Sequence, residues 1–185
     1  NNSIRSGGWN DVPQGSVSCN LRWIDDLLDD SNPQEYTYSN FESGKDNCYK
    51  DGNSFKSKLR IKFPSMEIQK VTDKGLNYSY CFKSLHNLFE DKDNQVHTRS
   101  LHAEENAMLQ ISKYGGQGLK GGILYTTASP CELCAKKAYQ LGIAKVIYID
   151  PYPGISKSHI LGNGYNAPKM KLFTGVIGRS YNKLF

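Results

Sequence analysis

The sequence predicts an α/β fold in which helices flank a mixed β-sheet, and three observations support this prediction. After residue 100 the apolar pattern runs in the order helix, strand, helix, strand, which is typical of a sheet with flanking helices. Glycines end both predicted helices, and β-branched residues fill the second predicted strand. The 185 residues suit one domain that buries its own core, so we predict a single domain over residues 1–185.

The first 57 residues have a weak pattern. Residues 19–30 predict a helix with Asn20 as a candidate N-cap, because apolar side chains recur at helical spacing at Leu21, Ile24, Leu27 and Leu28. Residues 31–57 turn to Asn, Ser, Asp, Gly and Tyr, which predicts a long polar loop. The sequence of residues 1–57 therefore predicts little about their structure.

Residues 58–185 are more regular. "KLRIKF" at 58–63 alternates strictly between basic and apolar side chains, which predicts a half-buried strand ending at Pro64. "YSYCFKSLHNLFE" at 78–90 is apolar and aromatic without a clear period, and we predict a strand there as well. A helix is predicted over His102 to Tyr114, where two glycines follow it.

Strands and a second helix complete the predicted order. "GGILYTTA" at 121–128 predicts a short buried strand, and Cys131 to Leu141 predicts a helix closed by Gly142. "AKVIYI" at 144–149 has the composition of a strand covered on both faces. "KLFTGVIGR" at 171–179 has room for one more strand or helix.

Composition excludes several classes of protein. The charged and apolar fractions of 22% and 38% are those of a folded chain. No run approaches the roughly 18 apolar residues of a membrane span, and no secretory leader is present, so we expect no membrane association and a cytoplasmic location. The net charge of +5 favours anionic partners such as nucleotides or a polynucleotide, although scattered surface lysines explain it equally well.

Cys131 and Cys134 have the spacing of metal ligands. They are three residues apart at a predicted helix start, so both sulfurs can reach one point, and the helix N-terminus favours thiolates. His102 is a suitable third ligand for a tetrahedral zinc site. The alternatives to a zinc site of this kind are a redox dithiol and half of a structural Cys₄ site. A Cys₄ site would need a second close pair, and the other cysteines are widely scattered, at Cys19, Cys48 and Cys81.

Three protein ligands leave the fourth zinc position open, which is the mark of a catalytic site. Glu104 is then a candidate proton shuttle, on a distorted first turn that also holds His102. Its neighbour Glu105 is interpreted as a surface carboxylate that complements the helix dipole. The remaining histidines have no carboxylate at the same offset, and they are His86, His97 and His159.

The pattern H-x-E followed by P-C-x-x-C is the signature of zinc-dependent nucleobase deaminases. On "HAE" at 102–104 and "PCELC" at 130–134, the chain resembles the cytidine and deoxycytidylate deaminase family. "LHAEENA", "TTASPCELCAKKAYQLGI" and "YIDPYPGISKSHIL" look like the deaminase domain of bacterial anti-phage dCTP/dCMP deaminases. The resemblance implies a three-layer α/β/α fold with a mixed sheet of about five strands, in which residues 58–185 form the catalytic core.

The resemblance also implies an activity, namely Zn²⁺-dependent hydrolysis of the cytosine amino group in a free nucleotide, dCMP or dCTP, in anti-phage nucleotide depletion. Glu104 would protonate ring N3 and then pass a proton to the leaving ammonia. A cytosine deaminase of single-stranded DNA or RNA is the alternative, since stacking on bases and contacts to phosphates would use the 12 tyrosines and the net charge of +5. Against it, the tyrosines are spread along the chain, and no dense track of Arg and Lys lies among them. A zinc module without activity is a third hypothesis, against which an intact Glu104 argues.

Substrate contacts are also implied by the resemblance. Base recognition points to the Ala103 N–H and to the segment from Thr127 to Ser129, and Tyr152 is placed to stack on the base. Asn106 is a candidate for the sugar, and basic residues are candidates for the phosphate, namely Arg99, Lys157 and Lys169. Each of these residues also has an ordinary surface interpretation.

Partners beyond the nucleotide follow from the same resemblance. Related proteins often form oligomers, so a homo-oligomer is expected. In the anti-phage proteins the deaminase domain often follows a P-loop NTPase-like part, and no G-x-x-x-x-G-K-[ST] motif occurs in this sequence. The sequence opens at Asn1, and we expect any such NTPase-like domain to lie outside this chain.

Overall fold

The computed structural model describes residues 3–29, 37–45, 49–162, 164–176 and 178. The chain divides into two compact units, a helical unit of residues 11–101 and a sheet unit of residues 1–10 with 102–185. The organisation as one domain over 1–185 stays a prediction. Within the described part of the chain, every helix is too short or too polar to cross a bilayer.

The helical unit consists of short helices, two of which have starts that are capped by serine side chains. Ser39 Oγ accepts from the backbone N–H of Glu42 while the Glu42 carboxylate accepts from the Ser39 N–H, which is a capping box. Ser54 Oγ caps the next helix by accepting from Ser57 N–H at 3.0 Å. After a 3₁₀ turn at Cys19–Leu21, the helices are α1 (Ile24–Leu28), α2 (Asn40–Ser43), α3 (Phe55–Lys62), α4 (Ser65–Thr72) and α5 (Phe82–Glu90).

An aromatic core holds the helical unit together. Phe55 and Leu59 are fully buried, and the Phe55 ring centroid lies 5.1 Å from that of Phe82 and 5.5 Å from that of Phe89. Aromatic pairs at these distances add about 0.5–1.5 kcal/mol beyond area burial. The buried members of the cluster are Ile24, Leu27, Tyr49, Phe55, Leu59 and Tyr80.

Two predicted strands in this unit are wrong, because both segments are helical. Over 58–63 the alternation is misleading, since burial follows the i, i+4 pair of Phe55 and Leu59 while Ile61 is 74% exposed. Over 78–90 the helix α5 packs Phe82, Leu85 and Phe89 against the aromatic core at helical spacing, and only Ser79 makes a bridge, to Trp23.

The predicted helix over 19–30 is shorter than expected and is split. It consists of the 3₁₀ turn and α1, whose N-cap is Trp23 rather than the predicted Asn20. The predicted polar loop over 31–57 contains α2 and the start of α3, so it is only partly irregular. Positions 31–36 and 46–48 of that loop, Cys48 among them, lie outside the described residues.

The sheet unit contains the predicted helix-strand alternation. Its sheet has the order β1-β2-β3 with every pair parallel, and Leu124 is in register with Val146, which is in register with Met170. The described residues form three parallel strands, so the predicted mixed sheet of about five strands is corrected, while the α/β class is confirmed. The elements are α6 (Ala103–Tyr114), β1 (Ile123–Ala128), α7 (Glu132–Gln140), β2 (Lys145–Asp150), a π-helical turn (Ser156–Ile160) and β3 (Lys169–Leu172).

Helices α6 and α7 are anchored to the sheet by a small apolar cluster. Met108 of α6 and Ala138 of α7 pack with Val146 of β2, and Ala138 and Val146 are fully buried. Gly142 follows α7 with φ of +70°, and the N–H of Ile143 donates to the Ala138 carbonyl, which closes the helix as predicted. This packing fixes the starts of α6 and α7 relative to the strand ends.

An N-terminal segment lies along α6. Ser6 Oγ donates to the Ala107 carbonyl at 2.6 Å. Gly8 approaches so closely that a Cβ there would lie 2.4 Å from the Ala103 carbonyl oxygen and from the Ala107 nitrogen. The first ten residues therefore belong to the structure around the start of α6, although their sequence pattern did not indicate it.

Candidate active site

The candidate site lies where helix starts and strand ends meet. In a parallel sheet the carboxyl ends of neighbouring strands share one edge, so β1 and β2 both end at this edge, at Ala128 and Asp150. The chain leaves β1 and reaches Cys131, the N-cap of α7, within three residues. His102 is the N-cap of α6, so two helix N-termini deliver the predicted ligands.

The three predicted metal ligands converge. His102 Nδ1 lies 3.3 Å from Cys131 Sγ and 3.6 Å from Cys134 Sγ, and all three donor atoms lie within 4.8 Å of one another. Zinc bonds of about 2.3 Å to sulfur and about 2.0–2.1 Å to nitrogen imply ligand separations of roughly 3.6 Å in a tetrahedral site. The donor set and its spacing therefore fit Zn²⁺.

The two thiols have pKa values that are shifted in opposite directions. Donation from the Cys134 thiol lowers the pKa of Cys131 to about 5 against the effect of burial, and the N–H groups of Cys134 and Leu133 add to the shift. Because Cys134 is the donor and is buried, its own pKa is raised. A thiolate is thus already favoured at the start of α7, which is the form that binds a metal.

Glu104 lies beside this cluster on the first turn of α6. Its negative charge contributes to the raised pKa of Cys134, which places the carboxylate within electrostatic reach of the sulfurs. His102 has extended backbone angles, with φ of −69° and ψ of 153°, so it precedes the helix rather than lying on a distorted turn. This geometry lets two residues so close in sequence both serve one site.

The predicted contacts Ala103 and Asn106 both meet the N-terminal segment. The Ala103 N–H donates to Asn10 Oδ1 at 2.8 Å, and Asn106 Nδ2 donates to the Trp9 carbonyl at 3.1 Å. Asn10 is therefore a polar group at the site that sequence reasoning missed. The sequence signal that could have found it is a polar Asn two residues after a Gly-Gly pair, in a segment without apolar periodicity.

Ser129 and Tyr152 connect the ends of the two strands. The Ser129 N–H donates to the Asp150 carbonyl at 2.8 Å, and Ser129 Oγ accepts from the Tyr152 N–H at 2.7 Å. Ser129 is 8% exposed and Tyr152 is 40% exposed. Thr127, two residues earlier on β1, is exposed. The structure brings Ser129 and Tyr152 together, and their roles toward substrate stay predictions.

Glu132 is a second residue that sequence reasoning missed. Its Oε1 accepts from the Ile155 N–H at 2.8 Å, and the nearby Ser156 Oγ donates to the Pro130 carbonyl at 2.6 Å. Backbone N–H groups, its own first and then that of Ile155, lower the pKa of Glu132. The carboxylate therefore joins the zinc-ligand motif to the loop after β2.

The three phosphate candidates are distributed over both units, with Lys157 and Lys169 in the sheet unit and Arg99 in the helical unit. Lys169 is the first residue of β3, at the opposite end of the sheet from the cysteines. Lys157 is exposed in the π-helical turn, five residues after Tyr152. Arg99 belongs to the helical unit, where its Nη1 donates to the Val17 carbonyl at 3.2 Å.

A parallel α/β unit that presents a His/Cys/Cys donor set beside a glutamate defines a zinc-dependent hydrolytic enzyme. The family model described as "Cytidine and deoxycytidylate deaminase zinc-binding region" matches residues 60–150, which include all four residues of this set. Residues 60–150 therefore match the zinc-binding region of the cytidine and deoxycytidylate deaminases, a family of hydrolytic enzymes.

Similar proteins include phage deoxycytidylate deaminases. The protein from Enterobacteria phage T2 is 29% identical over 179 residues, which are 92% of this chain and 78% of that protein. The protein from Enterobacteria phage T4 is 39% identical over 80 residues, which are 39% of this chain and 40% of that protein. A crystal structure of dCMP deaminase from cyanophage S-TIM5 with dCMP and dUMP is 27% identical, covering 45% of this chain and 58% of that chain, with a TM-score of 0.37.

Proposed function

We propose that this chain hydrolyses dCMP to dUMP and ammonia. The observation that carries the proposal is the convergence of His102, Cys131 and Cys134 on one point with Glu104 beside them. The choice of substrate rests on the relatives, because the similar proteins of phages T2 and T4 are deoxycytidylate deaminases. The products follow from adding water at C4 of the base and expelling the 4-amino group.

His102, Cys131 and Cys134 are the residues that would hold Zn²⁺. A bound zinc ion lowers the pKa of a coordinated water from about 15.7 to about 7, which supplies a nucleophile at neutral pH. The low pKa of Cys131 suits this role, because a thiolate is a stronger zinc ligand than a thiol. The near-complete burial of both sulfurs limits competition from bulk water for the ligands.

Glu104 moves the protons in this proposal. Its carboxylate takes a proton from the attacking water and delivers it to N3 of the cytosine ring. It then takes the proton of the new hydroxyl group on C4 and passes it to the amino group, which leaves as ammonia when its bond to C4 breaks and the C4 carbonyl forms. General acid–base transfer of this kind is typically worth about 10²–10⁴-fold in rate.

The base and sugar are held by the residues around the strand ends. Tyr152 is exposed enough to stack on the base, and its backbone is fixed by Ser129. Ala103 and Asn106 are proposed to contact the base and the sugar, on the side where the N-terminal segment lies. Lys157 is a proposed phosphate contact, since it follows Tyr152 in the same loop region.

A triphosphate substrate and a role in anti-phage nucleotide depletion are the finer forms of this proposal. dCTP differs from dCMP only in its phosphates, so the same base chemistry would serve both. Assembly into a homo-oligomer and an NTPase-like domain outside this chain also remain proposals. Their support is the resemblance of the quoted motifs.

Metal analysis combined with an ammonia-release assay tests the proposed function. The substrates are dCMP, dCTP, CMP and a single-stranded oligodeoxynucleotide containing cytosine. We expect one zinc ion per chain and the highest kcat/KM for dCMP. Preference for the oligonucleotide would replace the proposal with a polynucleotide deaminase. Bound zinc without ammonia release from any substrate would indicate a module that uses zinc only for folding.

A further inference from the structure

We infer that Glu132 is a positioning residue, which holds the loop of residues 151–156 against the zinc-ligand motif and thereby sets the position of Tyr152. The inference rests on the proposed function in one respect, namely that Tyr152 meets the substrate. Glu132 lies between the two cysteines, yet its carboxylate points away from them, to the loop after β2. Its partner is a backbone group 23 residues further along the chain.

The contact between Glu132 and the loop is close and specific. Glu132 Oε1 accepts from the Ile155 N–H at 2.8 Å. The adjacent Gly154 has no side chain, and a Cβ built there would lie 2.8 Å from the same oxygen. A side chain at position 154 would therefore crowd the carboxylate and force it to shift from its position beside the Ile155 N–H.

Two serine contacts fix the same loop on either side of this bond. Ser129 Oγ accepts from the Tyr152 N–H at 2.7 Å, and Ser156 Oγ donates to the Pro130 carbonyl at 2.6 Å. Segment 129–132 thus holds the loop at its beginning, middle and end. The Tyr152 N–H makes the first of these contacts and the Ile155 N–H makes the second, so the two bonds fix the backbone from Tyr152 to Ile155 at both ends.

A carboxylate at a helix start has an ordinary role, which is to complement the helix dipole. That role needs no partner in the loop and no glycine at position 154. The observed bond to Ile155 N–H therefore gives Glu132 a function that dipole complementation does not explain. Loss of the bond would loosen the loop between the two serine contacts while leaving helix α7 and the cysteines in place.

The test compares Glu132→Ala, Glu132→Gln and Gly154→Ala in the zinc-loaded protein. We expect Glu132→Ala to raise KM for dCMP by about tenfold with little change in kcat, the factor that one charge-assisted hydrogen bond represents. Glu132→Gln keeps an acceptor oxygen and should restore most of the affinity. Gly154→Ala should reproduce the Glu132→Ala defect, because its methyl group displaces the carboxylate.

A double variant separates positioning from other roles. If Glu132 acts through Tyr152, the KM of Glu132→Ala with Tyr152→Ala should equal that of Tyr152→Ala alone. Additive effects would overturn the inference. A loss of zinc in Glu132→Ala and Gly154→Ala would also overturn it, since the carboxylate would then support the metal site instead.

Amide hydrogen exchange supplies a readout that does not depend on turnover. In the zinc-loaded protein without substrate, Glu132→Ala should speed exchange in the peptide containing Tyr152 and Ile155, and Glu132→Gln should not. Unchanged exchange in Glu132→Ala would overturn the inference even if KM rises. If dCMP is not a substrate but exchange speeds up as described, the loop contact stands and only the proposed function fails.

Discussion

The two units of the chain each contain a buried polar cluster, and the two clusters are built in opposite ways. In the helical unit, Arg22 pairs with Glu42, and Tyr80 donates to the same carboxylate at 2.8 Å. In the sheet unit, His102 and the two cysteines direct their donor atoms toward one another. The first cluster pairs a cation with an anion. The second brings together three side chains that can each donate an electron pair to a metal ion.

This difference determines what each cluster can do. Arg22 is fully buried, its guanidinium lies 5.1 Å and 5.3 Å from the ring centroids of Tyr38 and Tyr80, and its Nε donates to the Thr37 carbonyl. Such a network stabilises one arrangement of the chain around it. The second cluster becomes most stable when a cation neutralises it, so it couples folding of the site to metal binding.

Glu104→Gln is expected to have the largest effect on the second cluster. The amide cannot take up or release the proton that deamination requires, so kcat should fall by about 10²–10⁴-fold or more. Zinc content should stay at the wild-type level, because Glu104 is not among the three ligands. Steady-state ammonia release and metal analysis on the same preparation measure both quantities.

The matched change is Cys134→Ser, which removes a ligand and keeps Glu104. It should lower zinc content and activity together. If Glu104→Gln also loses zinc, or keeps a rate close to wild type, the separation between ligand and proton shuttle is wrong.

Arg22→Met is expected to have the largest effect on the first cluster. It leaves the Glu42 carboxylate buried at 2% exposure without its cation, which should cost about 3–5 kcal/mol in the free energy of unfolding. Urea unfolding followed by tyrosine and tryptophan fluorescence measures this. Arg22→Met with Glu42→Leu removes both charges and should recover much of the loss, since no unpaired charge remains.

A double variant as unstable as Arg22→Met alone would show that the buried charge is not the cause. The same pair also sharpens the comparison between the units. Removal of zinc by a chelator should destabilise the wild type and the double variant by similar amounts, because zinc binding involves neither Arg22 nor Glu42.

The convergence of the candidate metal ligands was predictable because chemistry restricts the residues that can bind zinc. Cys131 and Cys134 need their spacing, His102 is a suitable third ligand, and the long periodic helix after His102 has clear ends. The alternation of helix and strand was predictable from the same region. The strand count was not predicted correctly. The expected number of about five followed the resemblance, whereas the described residues form three strands.

The helical unit was hard to predict because tertiary packing outweighs local pattern there. Over 58–63 the alternating pattern conflicts with the i, i+4 burial of Phe55 and Leu59, and burial determines the structure. Over 78–90 the helical signal was present, since Phe82, Leu85 and Phe89 recur at helical spacing and pack in the core. Asn10 and Glu132 act through backbone groups distant in sequence, which no local pattern reveals.

Acid should weaken the first cluster in a defined pH range. Burial opposes ionisation of Glu42, but the hydrogen bond and charge of Arg22 hold the pKa of Glu42 below 4.5. Its contribution to stability is therefore complete above pH 4.5 and is lost as the pH falls below that value. Glu42→Gln should have a smaller change of stability across this range, measured by urea unfolding at several pH values.

His86 adds an earlier step to the acid response. Burial, and then the charge of His97, lower the pKa of His86 below 6.5. As the pH drops below 6.5, His86 is therefore protonated in the unfolded chain before it is protonated in the folded chain, and the free energy of unfolding falls. His86→Gln should remove this step and leave the step below pH 4.5 in place. A wild-type stability that is constant from pH 7 to pH 5 would contradict the assignment of His86, and one that is constant as the pH falls further below 4.5 would contradict that of Glu42.

Glu105→Ala should have the smallest effect, although Glu105 is the sequence neighbour of Glu104. Glu105 pairs with Lys137 of α7, and both side chains retain solvent contact at 25% and 43% exposure. A pair of this kind is worth about 0.2–1 kcal/mol, so unfolding should shift by no more than that and kcat should be unchanged. Addition of salt should reduce the shift further, because the pair is screened. A fall in kcat comparable to that of Glu104→Gln would instead mean that the two carboxylates share the proton transfer. Catalysis would then depend on the negative charge at the start of α6 rather than on the position of the Glu104 carboxylate alone.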